Sequence, residues 1–326
     1  MSPPAPPLDD DDLLSETLLR LPPHPSSLPR ASAVSKRWRN LASDPAFSHR
    51  FRRHHRRNVP LLGCFMPDGR EIRFDSTLDP PNSVPRARFS FPMGARDCDF
   101  SFVGCRHGFV LMFLASQGTL KLLVWDPVNG HEHHIAIPPG FGAKSLINGA
   151  VYRASLALGD INHFQVVLPA VLVGNSLYML LLGKPSGIIE FDVDRQSLAV
   201  IPLPVRLDPE FSRYYSVVRA EGGGLGLLFV SKLDCSGQLW KWKTDCHGVA
   251  SWVLGRTIAL DSLLSLDFQN NQGIHIPGFA EENNVVFLWT FVGVFMVQLD
   301  SLQFKKLSKI NLLHWHPFEC VYAAGI

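Results

Sequence analysis

The densest cluster of potential ligands is His131-Glu132-His133-His134, which follows a turn at Asn129-Gly130. Imidazole nitrogens and carboxylates are zinc-ligand types. The order is not H-E-x-x-H, in which two histidines share one face of a helix. On a strand, alternate side chains face opposite sides, so His131 and His133 point one way, His134 points the other, and at most two converge. His314 and His316 share a face in the same manner, with nothing tying them to the first cluster. A polar hairpin edge is the expected reading, with no metal and no cofactor. Gly222-Gly223-Gly224 precedes an apolar strand-like run and lacks the helix N-terminus that cradles phosphate. No G-x-S-x-G elbow occurs. Asp126, Asp192, Asp245 and Asp300 each close an apolar run. Carboxylates converging on a pocket could cleave glycosides, but recurrence at equivalent turns points to hairpin chemistry. The chain is expected not to be an enzyme.

One charged run stands out: Arg50, Arg52, Arg53, His54, His55, Arg56 and Arg57. Residues 1–60 carry ten Lys+Arg against six Asp+Glu, a balance of +4, and the remainder balances at −2. The run could grip a phosphate backbone. It also lies where a helix ends, and cations there offset the dipole. With only Phe51 interleaved, a solvated linker helix is preferred over nucleic-acid contact.

The 326 residues are 46% hydrophobic, enough for a sizeable core and for one large or two ordinary domains. None of the six cysteines forms a C-x-x-C pair. The opening MSPPAPPLDDDD lacks the charged and apolar regions of a signal peptide. Reduced thiols and a cytoplasmic or nuclear location follow as expectations. The longest apolar runs, at 166–174 and 176–183, fall short of the roughly 18–20 residues that span a bilayer, so no membrane contact is expected.

These features sit on two unlike regions. Residues 1–7 read as a disordered Pro-rich tail and 8–57 as a helical domain. Asp9–Asp12 complement the dipole of a first helix, in which Leu14, Leu18 and Leu21 share a face and which Pro22 and Pro23 end. Ser26 or Ser27 caps a second helix with the stripe Leu28, Ala31, Val34, Trp38 and Leu41. Asp44 caps a third, with Pro45 at its first position and Phe47 and Phe51 paired. So small a head leaves large apolar groups partly uncovered, which marks a partner surface or a cap packed on the next domain.

The head resembles an F-box. The resemblance rests on the acidic start, LSETLLRLP from Leu14 to Pro22, Leu28-Pro29-Arg30-Ala31, VSKRWRNL from Val34 to Leu41, and Asp44-Pro45-Ala46-Phe47. In that family the first helices dock on the Skp-type adaptor of a cullin–RING ubiquitin ligase. The resemblance implies that Leu8, Leu14, Leu18, Leu21, Pro22, Leu28, Val34 and Trp38 belong to the motif, some touching the adaptor and some holding its core. Ser35 stands where many members carry Cys.

Residues 58–326 form a loose repeat of apolar strand, hairpin and strand closing at an Asp turn: 108–126, 175–192, 224–245 and 284–300. Repetition at about 50–65 residues is the pattern of a propeller, with a β-sandwich as the alternative. The body also resembles the F-box-associated domains of grass F-box proteins, through FVGCRHGFVLM (102–112), LLVWDPVNG (122–130), IIEFDVDRQSLAVI (188–201) and the run 278–307. Relatives carry about a blade's worth of sequence between the strands near Val167 and Val171, which here run straight through, so a shortened or missing blade is expected. The expected fold is therefore α+β and multidomain, a three-helix F-box followed by a mainly antiparallel propeller-like domain. The resemblance implies a non-catalytic substrate receptor of an SCF-type ligase, with a Skp-family adaptor and an unidentified target protein as partners. The rivals are a propeller enzyme acting on carbohydrate and a non-degradative or defective scaffold.

Overall fold

The computed structural model describes residues 10–68, 71–89, 91, 99–116, 119–136, 150–153, 164–167, 171–181, 187–204, 214–231, 234–266, 273–307 and 315–322. The head contains four helices: α1 (Asp11–Leu19), α2 (Ser27–Ser32), α3 (Lys36–Ser43) and α4 (Pro45–His54). Asp10 caps α1, its carboxylate accepting from the amides of Asp12 and Leu13 at 2.8 and 3.2 Å. Asp44 caps α4 through the Ala46 amide at 3.1 Å, with Pro45 at the first helical position.

Three helices were expected, and the second is divided. The chain leaves the helix at Ala33, runs extended through Ser35 (φ −159°, ψ 163°) and restarts at Lys36. The Ser35 hydroxyl accepts from the Trp38 amide at 3.2 Å, so a capping residue in mid-pattern ends one helix and opens the next. Ser26 makes no side-chain cap; its hydroxyl donates to Asn82 Oδ1 at 2.7 Å.

The body is antiparallel. Its strands are β1 (Leu61–Asp68), β2 (Glu71–Ser76), β3 (Asp99–Arg106), β4 (Phe109–Ser116), β5 (Thr119–Trp125), β6 (Glu132–Ala136), β7 (Ala150–Arg153) and β8 (Phe164–Val167). Next come β9 (Val171–Val173), β10 (Ser176–Leu181), β11 (Gly187–Asp192), β12 (Ser197–Pro202), β13 (Tyr215–Arg219) and β14 (Leu225–Val230). The series ends with β15 (Ser236–Thr244), β16 (Ala250–Ala259), β17 (His275–Ala280), β18 (Val285–Thr290), β19 (Gly293–Gln298), β20 (Phe304–Lys306) and β21 (His316–Glu319). Four sheets hold four consecutive strands each: β3–β6, β9–β12, β13–β16 and β17–β20. The pair β7–β8 stands alone among the described residues, and it falls where a shortened blade was expected. The last sheet has the order β2-β1-β21, so the first and last strands of the body hydrogen-bond to each other.

The repeated turns have one chemistry. Asp126 accepts from the amides of Val128 and Asn129 at 3.0 and 3.1 Å, and Asp192 from those of Asp194 and Arg195 at 3.0 and 2.9 Å. Asp245 accepts from His247 and Val249 at 2.9 and 2.8 Å. Asp300 departs from the expected equivalence. In its sheet Gln298 accepts from the amides two and three residues on, at 2.6 and 2.9 Å, and Asp300 instead accepts from Asn284 Nδ2 at 3.0 Å. A longer side chain, with an amide oxygen in place of a carboxylate oxygen, replaces Asp at this turn.

Two compact units divide the chain, one of Met1–Ser101, Cys105–Pro139 and Phe318–Ile326, the other of Phe102–Gly104 and Gly140–Pro317. The helices thus share a unit with the first sheets, and no division falls at 57/58. In the second unit one side chain joins three sheets. Arg219 donates to the Leu172 carbonyl at 3.2 Å and to Glu281 Oε1 at 3.0 Å, and the same oxygen takes the Leu172 amide at 2.8 Å. In the first unit Phe318 meets Phe65 at 5.1 Å, Phe89 at 5.4 Å and Phe74 at 6.4 Å between ring centroids. All four rings are at most 1% exposed. Deleting such a side chain costs about 3–5 kcal/mol. Phe318→Ala is accordingly expected to lower the thermal midpoint of the chain by several degrees in a calorimetric scan.

Candidate partner-docking surface

The head has a small core of its own. Leu14, Leu18, Leu19, Leu28, Ala31, Phe47 and Phe51 form one buried cluster, and the C-terminal segment adds Val321 to it at 5% exposure. Leu21, Trp38, Leu41 and Val59 pack at its edge, half-buried. Polar ties set the helices around this core. Arg37 pairs with Asp11 at 2.7 Å, joining α3 to α1. Arg50 donates to Ser15 Oγ at 3.1 Å and pairs with Glu16 at 3.2 Å, joining α4 to α1. His55 Nε2 lies 2.9 Å from the Leu19 carbonyl, its ring 4.5 Å from that of Phe51. Burial holds His55 below its usual imidazole pKa, so the neutral ring donates Nε2–H to that carbonyl.

The expected motif residues divide by burial. Leu14, Leu18 and Leu28 are 0%, 0% and 3% exposed, so they hold the core and present nothing to a partner in this arrangement. Leu21 and Trp38 are half-buried, and Pro22 is exposed. Val34 is 63% exposed, because the break between α2 and α3 removes it from the stripe with Leu28 and Ala31. Leu8 lies outside the described residues. Leu13, 51% exposed, was not singled out, although its position off the Leu14/Leu18/Leu21 face signals it. Leu13 and Val34 are the large apolar side chains of the head left open among the described residues.

The candidate chemical sites stay apart. His131 and His134 are exposed, and His134 Nε2 lies 3.5 Å from Glu132. His316 packs its ring 4.3 Å from that of Phe102, and His314 lies outside the described residues. Among the described residues no three His, Cys, Asp or Glu side chains are grouped to hold a metal. Gly222 and Gly223 adopt φ of +89° and +86° in the turn between β13 and β14, a conformation that glycine alone takes without strain. Asp126, Asp192 and Asp245 each serve their own hairpin. Burial pushes the Cys64 thiol up, away from the reactive thiolate. Among the described residues no helix is long and apolar enough to cross a membrane.

Four helices followed by repeated antiparallel sheets are the arrangement of an F-box with a β-propeller. Residues 10–50 match the F-box domain, and residues 144–323 match the family described as F-box protein AT5G49610-like, beta-propeller. The chain belongs to this family, a plant F-box protein with a C-terminal propeller of antiparallel blades. Comparison with curated proteins yields no match.

The burial split predicts unequal costs. Leu18→Ala is expected to destabilise the chain by about 2–5 kcal/mol, and Val34→Ala by less than about 0.5 kcal/mol, read from chemical denaturation. The His55 shift has a definite sign. Above about pH 6.5 the ring is neutral in both states; below it the unfolded chain takes up a proton first, and stability falls until the folded ring also titrates. The fall in thermal midpoint between about pH 7 and pH 5.5 should therefore be smaller in His55→Gln than in the unaltered chain.

Proposed function

We propose that the chain is a substrate-receptor subunit of an SCF-type cullin–RING ubiquitin ligase, working in the cytoplasm or nucleus. The head docks on a Skp-family adaptor, and the β body holds a target protein. Val34 and Leu13 supply the apolar contact, flanked by Pro22 and the edges of Leu21 and Trp38. Leu14, Leu18 and Leu28 keep the helices in place. The chain performs no bond chemistry. It converts a bimolecular encounter between target lysine and charged enzyme into an effectively intramolecular one.

The observation that carries this reading is the exposure of Val34 and Leu13 on a head whose core is already filled. A head that served only as a cap on the body would turn its uncovered leucine and valine inward. Co-expression with a Skp-family protein should yield a complex that survives gel filtration. Leu13→Asp with Val34→Asp places unpaired carboxylates in the contact, which costs several kcal/mol and weakens association by at least about a hundredfold. The doubly substituted chain should melt as before, because both positions are exposed. A stable, folded chain that does not co-purify with any Skp-family adaptor would defeat the proposal.

A further inference from the structure

We infer that the C-terminal end of α4 and the turn after it form a docking site for an acidic segment of a partner protein, separate from the adaptor surface. Arg53, Arg56 and Arg57 are exposed, and Arg52 is half-buried. Among the described residues none of these four side chains makes a hydrogen bond or an ion pair. The neighbouring carboxylates are otherwise engaged. Glu16 takes both Arg20 and Arg50, at 3.5 and 3.2 Å, and Asp44 caps the opposite end of α4.

The helix accounts for only half of this charge. Cations favour the last turn of a helix, and the dipole's influence fades beyond it. Arg52 and Arg53 lie in the last turn of α4, whereas Arg56 and Arg57 follow the cap at His55. Positions 52 to 57 span about 8 Å at helical rise, close to one Debye length in physiological salt, so the four guanidinium groups act as one concentrated charge.

The shape of that charge selects its occupant. Guanidinium groups hold carboxylates through paired, directional hydrogen bonds. Nucleic acid would gain from exposed aromatic faces on which bases stack, but Phe47 and Phe51 are each 1% exposed. The track is also short for a duplex, which carries a charge every ~1.7 Å, and residues beyond 60 balance at −2. An Asp- or Glu-rich peptide presents several carboxylates over the same short length and carries no bases that need stacking.

Fluorescence anisotropy of a labelled poly-glutamate peptide, titrated with the full chain in complex with its adaptor or alone, tests the site. Binding is expected, weakening by about tenfold or more as sodium chloride rises from about 50 to about 200 mM. Arg53→Glu with Arg57→Glu should weaken binding at low salt by at least about tenfold, while Arg30→Glu with Arg39→Glu leaves it within about twofold. Circular dichroism melts confirm that both variants remain folded. Absence of peptide binding, or equal loss in both variant pairs, would overturn the site. So would tighter binding of a mixed-sequence single-stranded oligonucleotide that the Arg53/Arg57 change abolishes, which would make the site a phosphate-backbone contact.

Discussion

The contact on which the first compact unit depends is made by the end of β21 and the residues after it. Phe318 completes the aromatic cluster with Phe65, Phe74 and Phe89. The Cys320 amide bonds to the Pro60 carbonyl at 3.2 Å, at the join between helices and sheets. Val321 enters the core of the head beside Leu14, Leu18, Phe47 and Phe51, and Tyr322 accepts from Arg88 at 2.9 Å. Five residues thus serve a sheet, the joint and the helical core in succession. A head of about 45 residues buries too little apolar surface to be stable unaided, and this segment supplies a missing wall.

With that wall in place the head can divide its labour. Leucines on the inner face of α1 and α2 are committed to packing, which leaves Leu13 and Val34 exposed. The division follows from two local choices. Asp10 sets the start of α1 and with it the rotational phase that turns Leu13 outward. Ser35 ends the extended connection and begins α3 with a capped amide. A residue favourable to continuous helix at 35 would carry Val34 back toward the stripe of Leu28 and Ala31.

Much of this organisation was legible in the sequence because it depends on neighbours. Asp44-Pro45 marks a helix start through capping and fixed φ. The Asp turns after β5, β11 and β15 are visible because an aspartate bonds amides two and three or four residues ahead. What escaped depends on distant partners or on ambiguous chemistry. Helical periodicity from Leu28 to Leu41 masked the break at Ser35, since one capping serine is compatible with either reading. Gln298 replaced the expected Asp300 because hydrogen-bonding geometry, not residue type, defines the turn. The pairing of β21 with β1 links residues more than two hundred positions apart, and no local pattern announces it. The F-box was legible as a motif, but the division of its residues into core and surface needed the burial of each side chain.

Because Val321 belongs to the core that shapes the helices, those helices leave the ribosome well before their core can be completed. Until that valine emerges, Leu14, Leu18, Phe47 and Phe51 lack one of their neighbours. A nascent or prematurely terminated polypeptide that lacks Val321 therefore carries an unfinished head, and the order of synthesis ties its completion to possession of the whole body.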